Sequence, residues 1–210
     1  ISHEKPACQD WKPVMSARIR HLIFFALMSL SIWHLFQGGY IHAKAWLAQQ
    51  LIQSAWHDTM ENEKSIQPWP GADTYPVARL TAQKGSVDLV VLSGTSDRTL
   101  AFGPGHMPGT AQPGRPGNVV LSGHRDTHFA FLRNLNIGDQ ITLQNQAGIA
   151  NSYEVTTTEV VHKSHIEVAQ DAGDDRITLI TCYPFDAIVP GGPLRYVVMA
   201  RAVPAGSLEI

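Results

Sequence analysis

Two regimes of hydrophobic patterning divide the chain. From Leu22 to Phe36 the sequence reads Leu-Ile-Phe-Phe-Ala-Leu-Met-Ser-Leu-Ser-Ile-Trp-His-Leu-Phe, and Gly38, Gly39, Tyr40 and Ile41 extend it. A run of about 20 mostly apolar residues without acidic groups has the length of a membrane-crossing helix. Helical spacing continues past it through Trp46, Leu47, Leu51, Ile52 and Ala55. After Trp56 a polar stretch ends in Pro68, Trp69, Pro70 and Gly71 and reads as a linker. Beyond it the period shortens. Runs rich in Val, Ile, Leu, Thr and Tyr lie at 76–82, 86–92, 117–123, 139–145, 152–161, 176–182 and 195–202, bounded by turn residues. This spacing predicts seven or eight strands closing into a barrel or sandwich, with helical turns around Thr95–Phe102 and Phe129–Leu135. Gly103–Gly117 reads as a Gly/Pro-rich loop; it lacks the Gly-Lys-Ser/Thr ending and the following helix of a phosphate cradle.

The flanks of the apolar run set its expected orientation. Lys12, Arg18 and Arg20 precede it, so the basic side should stay cytoplasmic and everything after about residue 42 should lie outside. Ala43-Lys44-Ala45 has the small-x-small form of a signal-peptidase site, and cleavage there would release a soluble domain. The helical pattern running on through Ala55 favours an uncleaved anchor. Met15 offers an alternative start, which would leave residues 1–14 outside the natural protein. The organisation expected is a cytoplasmic leader at 1–21, a transmembrane signal-anchor at 22–41, a juxtamembrane helix and linker at 42–75, a β-domain at 76–204 and a tail at 205–210.

Composition narrows the function classes. The 210 residues are 44% hydrophobic and 16% charged, enough for a sizeable core, and the formal net charge is -2. Without a basic block there is no electrostatic footprint for nucleic acid. Only Cys8 and Cys182 occur, with Cys8 in the polar leader, so disulfides do not hold this fold. Cys182 is left as an isolated thiol in the folded part.

Three segments bring chemistry to strand ends: Gly117-Asn118-Val119-Val120-Leu121-Ser122-Gly123-His124-Arg125-Asp126-Thr127, Ile177-Thr178-Leu179-Ile180-Thr181-Cys182, and Leu194-Arg195-Tyr196-Val197-Val198. A side chain at a strand end beside a loop is rigidly held yet accessible, which suits a nucleophile. These segments resemble the sortase family, with its Thr-Leu-x-Thr-Cys strand end, an upstream His closing another strand and an Arg opening the next. The likeness covers roughly residues 76–202, and the run from His106-x-Pro108-Gly109-Thr110 through Gly-His-Arg-Asp-Thr looks most like the sortases of Gram-negative bacteria. The resemblance implies an all-β fold, the closed eight-stranded sortase barrel with short helices, preceded by a membrane helix. It also implies Cys182 as nucleophile, His124 as acid/base and Arg195 as the oxyanion or substrate-binding group. The implied partners are a protein bearing an LPXTG-like C-terminal sorting signal, an amine acceptor and the membrane. The implied place is the inner membrane, single-pass, with the barrel on the periplasmic face. No cofactor and no metal are expected. No separate lid segment of the pilin-polymerising type precedes the barrel, which argues against pilus assembly.

The residue types fit those roles on chemical grounds. A free thiol is only a few per cent thiolate at neutral pH, and a neighbouring imidazolium or guanidinium favours the ionised form. The thiolate attacks a peptide carbonyl, and a histidine protonates the departing amine and deprotonates the incoming one. Arginine stays charged, so it suits holding a carbonyl or oxyanion with its planar fork. Two other readings compete. His124, His128 and Asp126, with His106, His162 and His165, would suit an extracytoplasmic metal-binding module, but the i, i+4 spacing works on a helix and this stretch reads as strand. A noncatalytic barrel adaptor would require an inert Cys182.

Overall fold

The apolar pattern is helical without a break from Ala17 to Asn62 (α1, 46 residues), in a computed structural model that describes residues 16–204 apart from 63, 85, 171, 172 and 190. Of the expected leader and tail, residues 1–15, with Cys8 and Met15, and residues 205–210 lie outside the described residues. The chain divides into one unit ending at Ala45 and another starting at Trp46. In the first, α1 has no proline and turns its large apolar side chains outward: Leu22, Phe24, Leu35 and Phe36 are all exposed. It contains a window of 18 residues that is long and apolar enough to cross a membrane, none of it buried against protein.

In the second unit, α1 behaves as an ordinary amphipathic helix. Ala48, Ile52, Ala55, Trp56 and Thr59 recur at helical spacing and are its buried residues. Ile52 and Trp56 form a small core with Val90 and Leu92, against which Met60, Trp69 and Phe102 pack. The Trp69 and Phe102 rings meet edge to face at 5.0 Å. Thr59 Oγ1 accepts from the Ile66 N–H at 3.1 Å, and Gln67 Nε2 donates to the Ala72 carbonyl at 2.7 Å. Ala72 and Thr74 are buried, so residues 64–75, read as a linker, largely line the domain surface.

Eight strands close into the barrel that the spacing predicts: β1 Pro76–Ala82, β2 Val87–Ser93, β3 Gly105–His106, β4 Asn118–Ser122, β5 Gln140–Asn145, β6 Ala150–His162, β7 Arg176–Tyr183 and β8 Leu194–Ala202. Their order is β1-β2-β3-β4-β7-β8-β6-β5, with β5 pairing back onto β1. Only β2/β3 and β4/β7 are parallel. Alternate residues such as Leu80, Val91, Leu121, Ile141, Leu179 and Val198 fill the interior, each contributing about 1.5–3 kcal/mol on burial. β2 is apolar on both faces because Val90 and Leu92 on its outside meet α1. β3 lies inside the stretch expected to be loop: Gly105 pairs with Ser122 at a place where any Cβ would collide with the Gly94 carbonyl. The two helical turns are α2, Asp97–Leu100, capped by Ser96 Oγ accepting from the Thr99 N–H (3.1 Å), and a 3-10 turn at Ala130–Asn134.

Candidate active site

Side-chain alternation leaves Thr178, Ile180 and Cys182 on the outside of β7, since Ile177 and Leu179 point into the barrel. The antiparallel register of β7 and β8 makes Cys182 and Arg195 direct Cα partners. On the other side of β7, parallel β4 pairs Ser122 with Ile180. Pairing continues one residue past β4, where the Gly123 N–H donates to the Ile180 carbonyl at 3.2 Å. The chain turns directly afterwards, so His124 follows the end of β4 at the end of the barrel where its parallel neighbour β7 ends in Cys182 and Tyr183. These three elements set out a strand-end row, with Cys182 and Arg195 paired across β7 and β8 and His124 following Gly123 at the end of β4.

The row is fixed from behind. Thr181, 2% exposed, donates its hydroxyl to the Gly123 carbonyl at 2.7 Å. A Cβ on Gly123 would lie 2.7 Å from the Phe129 ring, so glycine lets this fully buried ring pack under the turn that carries His124. The carbonyl of His124 accepts from the Phe129 N–H at 3.0 Å. The imidazole is exposed and Cys182 is half-buried. Arg195 Nη1 donates to the carbonyls of Gly192 and Leu194, both at 2.8 Å, while its Nε and Nη2 have no acceptor among the described residues.

A groove of about 220 Å³ runs along the outer face of the strands and reaches the row at Arg195; Met107, Ser122, Val161, Ile180 and Val197 line it together with the polar His162, Lys163 and His165. Its roof is the segment after β6, containing a 3-10 turn at Ile166–Ala169 that supplies Val168 and Ala169. Buried polar groups hold the roof down. Asn118 Nδ2 donates to the carbonyls of Val168 (3.1 Å) and Gln170 (3.0 Å), and Thr178 Oγ1 donates to Asn118 Oδ1 (2.8 Å). Both side chains sit on the outer face yet are buried, because the roof covers them.

The sortase domain model matches residues 80–203. The chain belongs to the sortase family. Sortase D of Bacillus subtilis (strain 168) is 32% identical over 147 residues, 70% of this chain and 72% of that protein. Sortase A of Bacillus anthracis is 32% identical over 133 residues, 60% of each. Among solved structures, a Clostridium perfringens sortase D5 transpeptidase superposes with a TM-score of 0.62 at 21% identity, over 75% of this chain and 99% of that one. Listeria monocytogenes sortase A gives 0.55 at 27% identity, over 61% and 88%.

Two further residues of this sortase stand beside the row. His128 is held below the usual histidine pKa, first by burial and second by the charge of nearby His124. Arg125, given no role of its own in the sequence analysis, is only 5% exposed and donates to the backbone of the segment following Cys182. Its one sequence signal is its place directly after His124. Among the described residues no three His, Cys, Asp or Glu side chains converge as a metal site, so the metal-binding reading has no ligand set to rest on.

Proposed function

We propose that this sortase is a membrane-anchored cysteine transpeptidase that cleaves an LPXTG-like sorting signal through Cys182 and passes the acyl group to an amine. The observation that carries this reading is the Cα pairing of Cys182 with Arg195, with His124 following the end of β4, the parallel neighbour of β7. Cys182 Sγ attacks the scissile carbonyl and forms a thioester as the C–N bond breaks. His124 protonates the leaving amine and later takes the proton of the incoming one. Arg195, with Nη1 committed to the backbone, has Nε and Nη2 left to hold the carbonyl oxygen as charge develops. The apolar walls of the groove, Met107, Val161, Ile180 and Val197, suit the apolar start of such a signal. The apolar part of α1 serves as the anchor, with the barrel on the extracytoplasmic side as the flanking positive charges direct.

Intact mass spectrometry of the full chain mixed with an LPXTG-type peptide and hydroxylamine tests the reading. Peptide cut between Thr and Gly, a hydroxamate product and a transient acyl adduct at Cys182 are expected. Cys182→Ala should abolish all three with an unchanged circular dichroism spectrum, because the lost sulfur sits on the outer face and contributes little to the core. Cleavage that persists in Cys182→Ala would mean that the nucleophile is elsewhere.

A further inference from the structure

The connection between β7 and β8, residues 184–193, begins two residues after Cys182, and arginines hold it. Arg125 Nη1 donates to the Pro184 carbonyl at 2.7 Å, its Nη2 to the Ala187 carbonyl, and its Nε to Asp126 Oδ1 at 3.3 Å. Arg133 stacks over the Phe185 ring at 5.1 Å, and Arg195 Nη1 takes the Gly192 carbonyl at the far end. Between these ties the tip stands free, with Ile188 98% and Val189 76% exposed. A guanidinium buried to this degree is costly unless its donors are used. Here two of its nitrogens serve main-chain carbonyls 59 and 62 residues away. Arg125 is also covalently next to His124, so one side chain ties the turn carrying the histidine to the loop following the cysteine.

We infer that Arg125 is a positioning residue that clamps the loop between β7 and β8 beside Cys182, and that the clamped loop decides whether an amine or water resolves the acyl-enzyme. The inference rests on the transpeptidase reading. The groove occupies the outer face before the strand end and reaches Arg195, which on that reading puts the acyl part of a bound peptide there. The leaving amine departs past the strand end, and by microscopic reversibility the incoming amine arrives by the same side. That side is bounded by the His124 turn and the clamped loop. With an amine, the thioester C–S bond breaks as a C–N bond forms and the displaced proton ends on the sulfur through the general base. With water the same C–S bond breaks, a C–O bond forms and the product is the free acid. A loop held against the His124 turn leaves room for a primary amine on an extended chain while limiting the water that reaches the thioester.

Full-length Arg125→Gln and Arg125→Lys, incubated with sorting peptide and a triglycine amine, test this. The ratio of amide to acid product does not depend on how much protein is folded. It should fall by roughly three-fold or more in both variants, the scale of one lost charged hydrogen bond, because lysine cannot reach both carbonyls. In parallel, labelling at Cys182, read by peptide mapping to separate it from Cys8, should speed up more for a bulky maleimide than for iodoacetamide. A product ratio that stays at the wild-type value while both rates fall together overturns the steering role and leaves Arg125 a stability residue. If the wild-type chain forms no acyl adduct, the transpeptidase reading fails instead. The clamp is then judged by labelling alone, and unchanged size selectivity overturns it.

Discussion

Thr181 and Gly123 are joined by a 2.7 Å hydrogen bond from a buried hydroxyl to a carbonyl, and each immediately precedes a residue of the proposed site, Cys182 and His124. The parallel β4/β7 pairing leaves that carbonyl at a strand end, where no further strand continues to satisfy it. Thr181→Val keeps the shape and removes the donor. It should cost about 1–3 kcal/mol, because a buried acceptor loses its partner. Turnover of a sorting peptide should fall further than the folded fraction does, as the His124 turn loosens against β7. Urea midpoints and kcat measured together check it; turnover that merely tracks the folded fraction would remove Thr181 from any positioning role.

Arg195 separates charge from shape. Its Nη1 is spent on the Gly192 and Leu194 carbonyls, which leaves Nε and Nη2 as the donors the proposed role would use. Arg195→Lys keeps the charge but offers a single compact group, and kcat should drop on the order of 10²-fold, as when one oxyanion donor is removed. Peptide affinity should change much less. Turnover near the wild-type value in Arg195→Lys would sink the oxyanion assignment.

Trp56 of α1 is fully buried against the outside of β2, and its indole Nε1 has no hydrogen-bond partner among the described residues. Trp56→Ala should destabilise the second unit by about 3–5 kcal/mol through the cavity it leaves. Trp56→Phe should cost far less, since no N–H bond is lost. Equal losses from the two substitutions in a denaturant series would contradict this packing.

His128 gives stability a pH dependence whose sign follows from its lowered pKa. As pH falls below the ordinary histidine value of about 6.5, the unfolded chain takes up the proton before the folded one, so stability falls; above that value the group is neutral in both states and contributes nothing. The urea midpoint should therefore drop between about pH 7.5 and about pH 5.5, and His128→Gln should flatten that drop. An identical slope in the variant would assign the effect to other histidines.

Local pattern carried much of this structure. The strand runs announced themselves by β-branched content and spacing, and the sequence set Cys182 and Arg195 at strand ends, close to where β7 does end and β8 does begin. What stayed hidden depends on distant partners. β3 is two residues long, too short for any period, and exists because Gly105 can approach the Gly94 carbonyl closely. Arg125 stood in the sequence as one letter of a motif, because the carbonyls it serves lie 59 and 62 positions later. The polar Asn118–Thr178 pair under the roof read as ordinary strand residues, since nothing in their neighbourhood signals the turn that covers them.

The seating of Ile52 and Trp56 against Val90 and Leu92 also bears on where the protein can be cut. A fragment beginning at Pro76 would hold every strand, yet it would leave the outside of β2 and Phe102 as a bare greasy patch, the kind of surface that drives association in solution. The smallest piece that keeps its own cover begins near Trp46, so the shortest well-behaved fragment carries the last turns of the helix whose earlier turns are apolar enough for lipid.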